Sequence, residues 1–112
     1  MMKNTNNTGV SMTEQYNGWA NYETWRINLE VLDGMALEDF GFDLRELDAD
    51  DTTGAEKLAW TLETFTCDFI EGQASGFALD LAHTFLARVD WVEIAEHMIA
   101  NARTEARTAR LL

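Results

Sequence analysis

Read for its apolar positions, the chain falls into four stretches with helical spacing, separated by polar or glycine-bearing segments. In the first, Trp19-Ala20-Asn21-Tyr22-Glu23-Thr24-Trp25 leads into a run where Trp25, Leu29 and Leu32 keep the i, i+4, i+7 spacing of one helix face. Asn21 suits the cap, its side-chain oxygen accepting an orphan backbone N–H, and Glu23 meets the positive end of the helix dipole. The same residues also alternate as Trp25, Ile27, Leu29, Val31, which would suit a half-buried strand. The cap favours the helix; a short strand pair over residues 25–31 is the alternative. Gly34 ends or kinks the segment.

Thr53-Gly54-Ala55-Glu56 has the spacing of a capping box, and Leu58, Leu62, Phe65 and Phe69 then follow as one apolar stripe up to a stop at Gly72. After the turn Gln73-Ala74-Ser75-Gly76, Ser75 is placed to cap a third helix. There Phe77, Leu81 and Phe85 lie beside Ala78, Ala82 and Leu86, a wide apolar arc that predicts the most buried helix. The fourth boundary is the best marked. Asp90-Trp91-Val92-Glu93 has capping-box spacing, and Val89 can staple onto Ile94. Trp91, Ile94, Ala95, Met98 and Ala102 form the inner face of that helix, with Arg103, Arg107 and Arg110 near its negative end. Residues 35–51 break the pattern: Phe40, Phe42, Leu44 and Leu47 sit among acids, as in a loop with one or two helical turns. The expected fold is therefore all-α, a small bundle of about four helices. It forms one domain over residues 16–112 behind a disordered polar leader, residues 1–15.

Composition agrees with one domain: 112 residues, 46% apolar, with four Trp, six Phe and two Tyr to fill a core. No apolar run approaches the roughly 20 residues that span a bilayer, and the N-terminal residues lack the apolar centre of a signal peptide. A cytoplasmic protein is expected, and the lone Cys67, which has no partner for an internal disulfide, fits a reducing compartment.

Charge changes the picture most. Twenty acids stand against eight Lys and Arg, a net of −12. Residues 30–71 hold thirteen acids against Arg45 and Lys57, a net of −11, so nearly all the excess lies in one segment. Direct contact with nucleic acid or an anionic membrane is disfavoured, because phosphate binding needs a basic surface that displaces counterions. A basic protein or nucleoprotein complex is favoured instead. One reading of the segment is a solvated surface that keeps the protein soluble. The sharper one is mimicry, in which spaced carboxylates occupy a protein surface that normally grips a nucleic acid backbone. Glu38, Asp39, Asp43, Glu46, Asp48, Asp50 and Asp51 are the dense candidates for that partner surface.

Candidate chemistry is sparse. Cys67 with His83 or His97 is the sole nucleophile and base combination, and Cys67, two residues from both Phe65 and Phe69, reads as a small core hydrophobe. Glu93 and His97 are spaced for two metal ligands on one face, but a zinc or iron site needs three or four, and a surface ion pair is the better account. Asp48-Ala49-Asp50-Asp51-Thr52-Thr53-Gly54 resembles a calcium loop, yet positions six and twelve, which require Gly and Glu, are Thr53 and Ala59. Neither a phosphate-binding Gly-rich loop nor a nucleophile elbow occurs. No catalytic residue, metal or cofactor is expected.

Two stretches carry a resemblance: Asn17-Gly18-Trp19-Ala20-Asn21-Tyr22-Glu23-Thr24-Trp25, and Val89-Asp90-Trp91-Val92-Glu93-Ile94-Ala95-Glu96-His97-Met98-Ile99. Together, over roughly residues 16–100, the chain resembles a group of short uncharacterised proteins carried by bacteriophages, plasmids and their hosts. Trp19, Tyr22, Trp25, Asp90, Trp91 and Glu93 are its structural signature, with the aromatic residues expected to pack between the first and last helices. The resemblance implies a small accessory protein of a mobile element, of a kind that often acts on host defences; the acidic segment and the Arg-rich tail are not part of it. With the charge map, the expectation is a non-enzymatic protein that binds and inhibits a nucleic-acid-handling defence complex of the restriction or CRISPR type. The alternative is a regulatory or assembly module, such as a homodimer, whose acidity serves solubility.

Overall fold

The computed structural model describes residues 15–47 and 52–111. The expected leader falls almost entirely outside them, as do Asp48, Asp50 and Asp51. The all-α expectation holds: four helical segments, and no strand among the described residues. Helix α1 spans Tyr22–Ile27 and runs on as a π turn, Asn28–Leu32. Short 3-10 turns at Leu37–Phe40 and Leu44–Glu46 follow. Three longer helices complete the chain: α2 Thr52–Glu71, α3 Gly76–Leu86 and α4 Trp91–Leu111.

The main packing pair is α2 with α4. Leu58, Ala59 and Leu62 of α2 meet Trp91, Ile94, Ala95 and Ile99 of α4 in one core, closed by Ile27, Leu32, Leu37, Leu86 and Val89. Each fully buried Leu or Ile contributes about 1.5–3 kcal/mol, so these side chains dominate the packing energy.

Four details depart from the apolar pattern. In the first segment Ile27 and Leu32 are buried while Leu29 is 47% exposed. Ile27 and Leu32 are five residues apart, the hydrogen-bond period of the π turn, so the widened turn advances the buried face past Leu29. In α2 the stripe passes from Leu62 to fully buried Thr66, leaving Phe69 half exposed and Phe65 at the rim with its ring edge-on to Phe40. Helix α2 starts at Thr52, so Thr53 lies within its first turn rather than before it. The largest correction is α3: Phe77 is 76% and Leu81 54% exposed, and only Leu86 is buried. The helix is covered on one side, so an apolar arc wider than its neighbours can cover stays in contact with solvent. Ser75 has extended cap geometry but makes no side-chain cap bond.

The two signature stretches are joined at the helix starts. Asn21 Oδ1 accepts from the Thr24 N–H at 2.9 Å, which is the expected N-cap, and also from the Thr24 hydroxyl at 2.7 Å. That hydroxyl accepts the Asp90 N–H at 2.8 Å. Asp90 Oδ1 in turn accepts the Glu93 N–H at 3.0 Å, capping α4 as its spacing predicts. The other half of the expected capping box is diverted: Glu93 Oε1 accepts the Ala20 N–H at 2.9 Å instead of that of Asp90. The Asn21 amide donates to the Arg88 carbonyl at 2.7 Å, and Arg88 Nε donates to Glu23 at 3.1 Å. Before this clasp, Tyr16 and Trp19 exchange two 2.8 Å backbone bonds around Asn17 and Gly18, both at positive φ. An Asn-Gly pair favours this tight turn because neither residue is strained there.

Two buried threonines make opposite predictions. Thr24 is fully buried and donates and accepts within the clasp, so Thr24→Val strands the Asp90 N–H, at a cost of about 1–3 kcal/mol. Thr66 is equally buried, but its hydroxyl has no partner, so Thr66→Val removes an unsatisfied polar atom without opening a cavity. Thermal unfolding should show Tm falling by at least about 5 °C for Thr24→Val and holding or rising for Thr66→Val. Asp90→Ala, which removes the α4 cap, should cost about 1 kcal/mol in the same measurement.

Candidate functional site

Beside the clasp the chain forms a groove of about 950 Å³, running between α4 and the segment that follows the π turn. Several local choices build it. The π turn carries Leu32 into the core, and Gly34 at φ +83° lets the backbone reverse directly after it. Leu37 is then buried, which anchors the segment. Gly41, also at positive φ, closes the next turn, where the Phe42 N–H donates to the Leu37 carbonyl at 3.0 Å. The opposite wall is a flank of α4 that runs from core-packed Met98 and Ala102 to exposed Asn101 and Glu105, with Ala106. Trp19 and His97 stand at the groove with their rings stacked, centroids 4.2 Å apart.

The lining combines apolar and acidic character. Met35, Phe42, Leu44 and Met98 pack against the core from within it, and Asp33, Glu38, Asp43 and Glu105 supply carboxylates. Arg45 is the one Lys or Arg in the lining. Its guanidinium is turned onto Asp43 at 2.8 Å, and the Arg45 backbone N–H bonds the same carboxylate at 2.9 Å. The Arg45 side chain, then its backbone N–H, hold the Asp43 carboxyl below the usual carboxylate range. The positive charge in the groove is thus already matched, leaving Asp33, Glu38 and Glu105 in excess.

The acids singled out from sequence divide accordingly. Glu38 and Asp43 line the groove. Asp39 is exposed and accepts the Ala36 N–H at 2.8 Å, fixing the 3-10 turn. Glu46 is exposed at the end of the second such turn. Asp33, Glu105, Trp19, His97 and Met98 were not among the expected partner contacts; their approach depends on residues 33–45 folding back onto α4, which no local spacing shows.

The signature aromatics separate into two groups. Trp91 is buried and Trp19 reaches α4 through His97. Tyr22 and Trp25 instead cluster with Tyr16, and Tyr22 lies edge-on to Phe85 of α3. The expected Glu93–His97 ion pair is not formed, because Glu93 holds the Ala20 N–H and His97 stacks on Trp19. His83 is 3.3 Å from Glu71, linking α3 to the end of α2. No group of three or more His, Cys, Asp or Glu among the described residues is placed to hold a metal ion. No helix there is long and apolar enough to cross a membrane.

Cys67 is half-buried, and burial, followed by Glu63, Glu71 and Asp68, pushes its thiol pKa up. A raised pKa lowers the thiolate fraction, and the thiolate is the nucleophile. Alkylation of Cys67 by iodoacetamide near pH 8 should therefore be several-fold slower in the folded protein than in urea. Equal rates would mean that the fold does not shield the thiol.

No curated protein and no solved structure matches the chain. A family model does match, over residues 12–107, a range that takes in the clasp, the groove, the first three helices and α4 up to its last turn. The chain belongs to that family, the family of unknown function DUF7249.

Proposed function

We propose that this protein acts by binding rather than catalysis: it is an accessory protein of a phage or mobile element that occupies the nucleic-acid-gripping surface of a host defence protein. The observation that carries the reading is the arrangement of charge at the groove. Carboxylates from residues 33–43 and from α4 line its two walls, and the one guanidinium among the described lining residues is bonded to Asp43. A surface of that sign attracts a basic partner and repels phosphate, so it competes with nucleic acid without binding it. Glu38 and Glu46 are exposed, and in the sequence Asp48, Asp50 and Asp51 follow them closely. The resemblance to mobile-element proteins supports the host setting.

A second reading rests on the exposed apolar side of α3. Phe77 and Leu81, one helical turn apart, suit an assembly contact, in which case acidity serves solubility alone.

Proteins of a bacterial lysate held on immobilised DNA give the test. Added protein should displace a defined subset of them, less effectively at 0.5 M than at 0.1 M salt, because screening shortens the reach of the charge. The double variant Glu38→Lys, Glu46→Lys should lose displacement while keeping its helical circular dichroism; both side chains are exposed, and neither is used in a described cap or core contact. Equal displacement by wild type and variant would sink mimicry and favour the assembly reading.

A further inference from the structure

We infer that the groove between α4 and residues 33–45 is a docking slot for one arginine-bearing, partly apolar segment of the partner protein. The inference rests on the binding reading above and assigns it a place and a ligand chemistry. A surface that worked through charge alone would need no cleft, yet this one is concave and of a size that encloses side chains rather than presenting a flat acidic face.

Three features of the groove select the occupant. Asp33, Glu38 and Glu105 approach from different elements, so an entering cation meets carboxylates from more than one wall. Arg45 does not cancel them, since it already bonds Asp43 through its guanidinium. The same lining holds Met35, Phe42 and Met98, polarizable and apolar, suited to the aliphatic stem of a long basic side chain and to its apolar neighbours. Trp19 adds a half-buried indole, held by its stack on His97 and by backbone bonds to Tyr16. Guanidinium packs on aromatic rings and bonds carboxylates in pairs, whereas an ammonium ion is a compact and strongly hydrated charge. An arginine between apolar residues satisfies the whole lining; a bare metal ion leaves its apolar part unused, and a phosphate is repelled.

The probe is a fluorescein-labelled amphipathic peptide of arginine and leucine at helical spacing, titrated with the full chain by fluorescence anisotropy. Three variants are compared with wild type: Glu38→Lys with Glu105→Lys, which reverses the groove charge; Asn101→Trp, which fills the groove from the exposed surface of α4; and Glu56→Lys with Glu63→Lys. The last pair makes the same net charge change on exposed positions of α2 outside the groove. The peptide should bind wild type, weaken roughly tenfold or more with the first two variants, and change about twofold or less with the third. Circular dichroism confirms that each variant remains helical. If the α2 pair weakens binding as much as the groove pair, if Asn101→Trp binds as tightly as wild type, or if wild type does not bind the peptide, the slot assignment is overturned. Displacement of proteins from DNA by wild type under those same conditions would leave the broader binding reading standing, so the two failures are distinguishable.

Discussion

The Thr24 hydroxyl is the point through which the two ends of the fold communicate. It lies in the first turn of α1, is shut off from solvent, and uses both its donor and its acceptor: one toward Asn21, which caps α1, and one toward Asp90, which caps α4. Helix starts leave backbone N–H groups without partners, and burying two of them side by side is tolerable only if each finds an acceptor. Here the caps satisfy one another. Asn21 serves Thr24, Thr24 serves Asp90, Asp90 serves Glu93, and Glu93 returns to Ala20. Each member is polar and small or bent enough to reach its neighbour, and an apolar substitute at Thr24 breaks the chain in the middle.

The groove depends on this arrangement. Glu93 holds Ala20, which keeps Trp19 over α4 where His97 can stack on it. The same docking fixes the direction in which α1 leaves, and the π turn then carries Leu32 into the core and sets residues 33–45 against the outer half of α4. A π turn is less favourable than a regular one and is found where the extra residue re-aims a side chain. In this chain it pairs Leu32 with Ile27 at the core, leaves Leu29 outside and brings Asn28 to the groove. The acidic wall of residues 33–45 is positioned by core packing at Leu37 and Leu32, so of its lining carboxylates only Asp43 bonds the described backbone.

Much of the helical layout was legible in the sequence because caps are local. Asn21 and Asp90 accept the N–H groups that their spacing predicts, and the inner face of α4 is the one its apolar positions describe, extended by Ile99. Periodicity failed where burial depends on neighbours. Phe77 and Leu81 are as apolar as any core residue, yet no element among the described residues covers them, and Phe69 extends past the end of the packed region while Thr66 takes the interior place. The diversion of Glu93 to Ala20 could not be read from its four-residue box, since the competing donor is 73 residues away. The Asn17-Gly18 pair did carry a legible turn signal in its dipeptide, and it is the one local feature of the clasp region that apolar spacing passed over. The groove was illegible for a different reason: it is a relation between two segments, one of which reads alone as an acidic loop and the other as the edge of an amphipathic helix.

The separation between the halves of the clasp also has a consequence in time. Thr24 and Asp90 are 66 residues apart, so on a translating ribosome the first signature emerges on the order of 3–13 s before its donor partner exists. During that interval Tyr22, Trp25 and Ile27 have neither α3 nor α4 to pack against, and a helix of six residues does not persist alone in water. Folding of the N-terminal segment is therefore a late event that waits for the start of α4. Until α4 arrives, the nascent chain carries an unpaired aromatic segment followed by an acid-rich stretch.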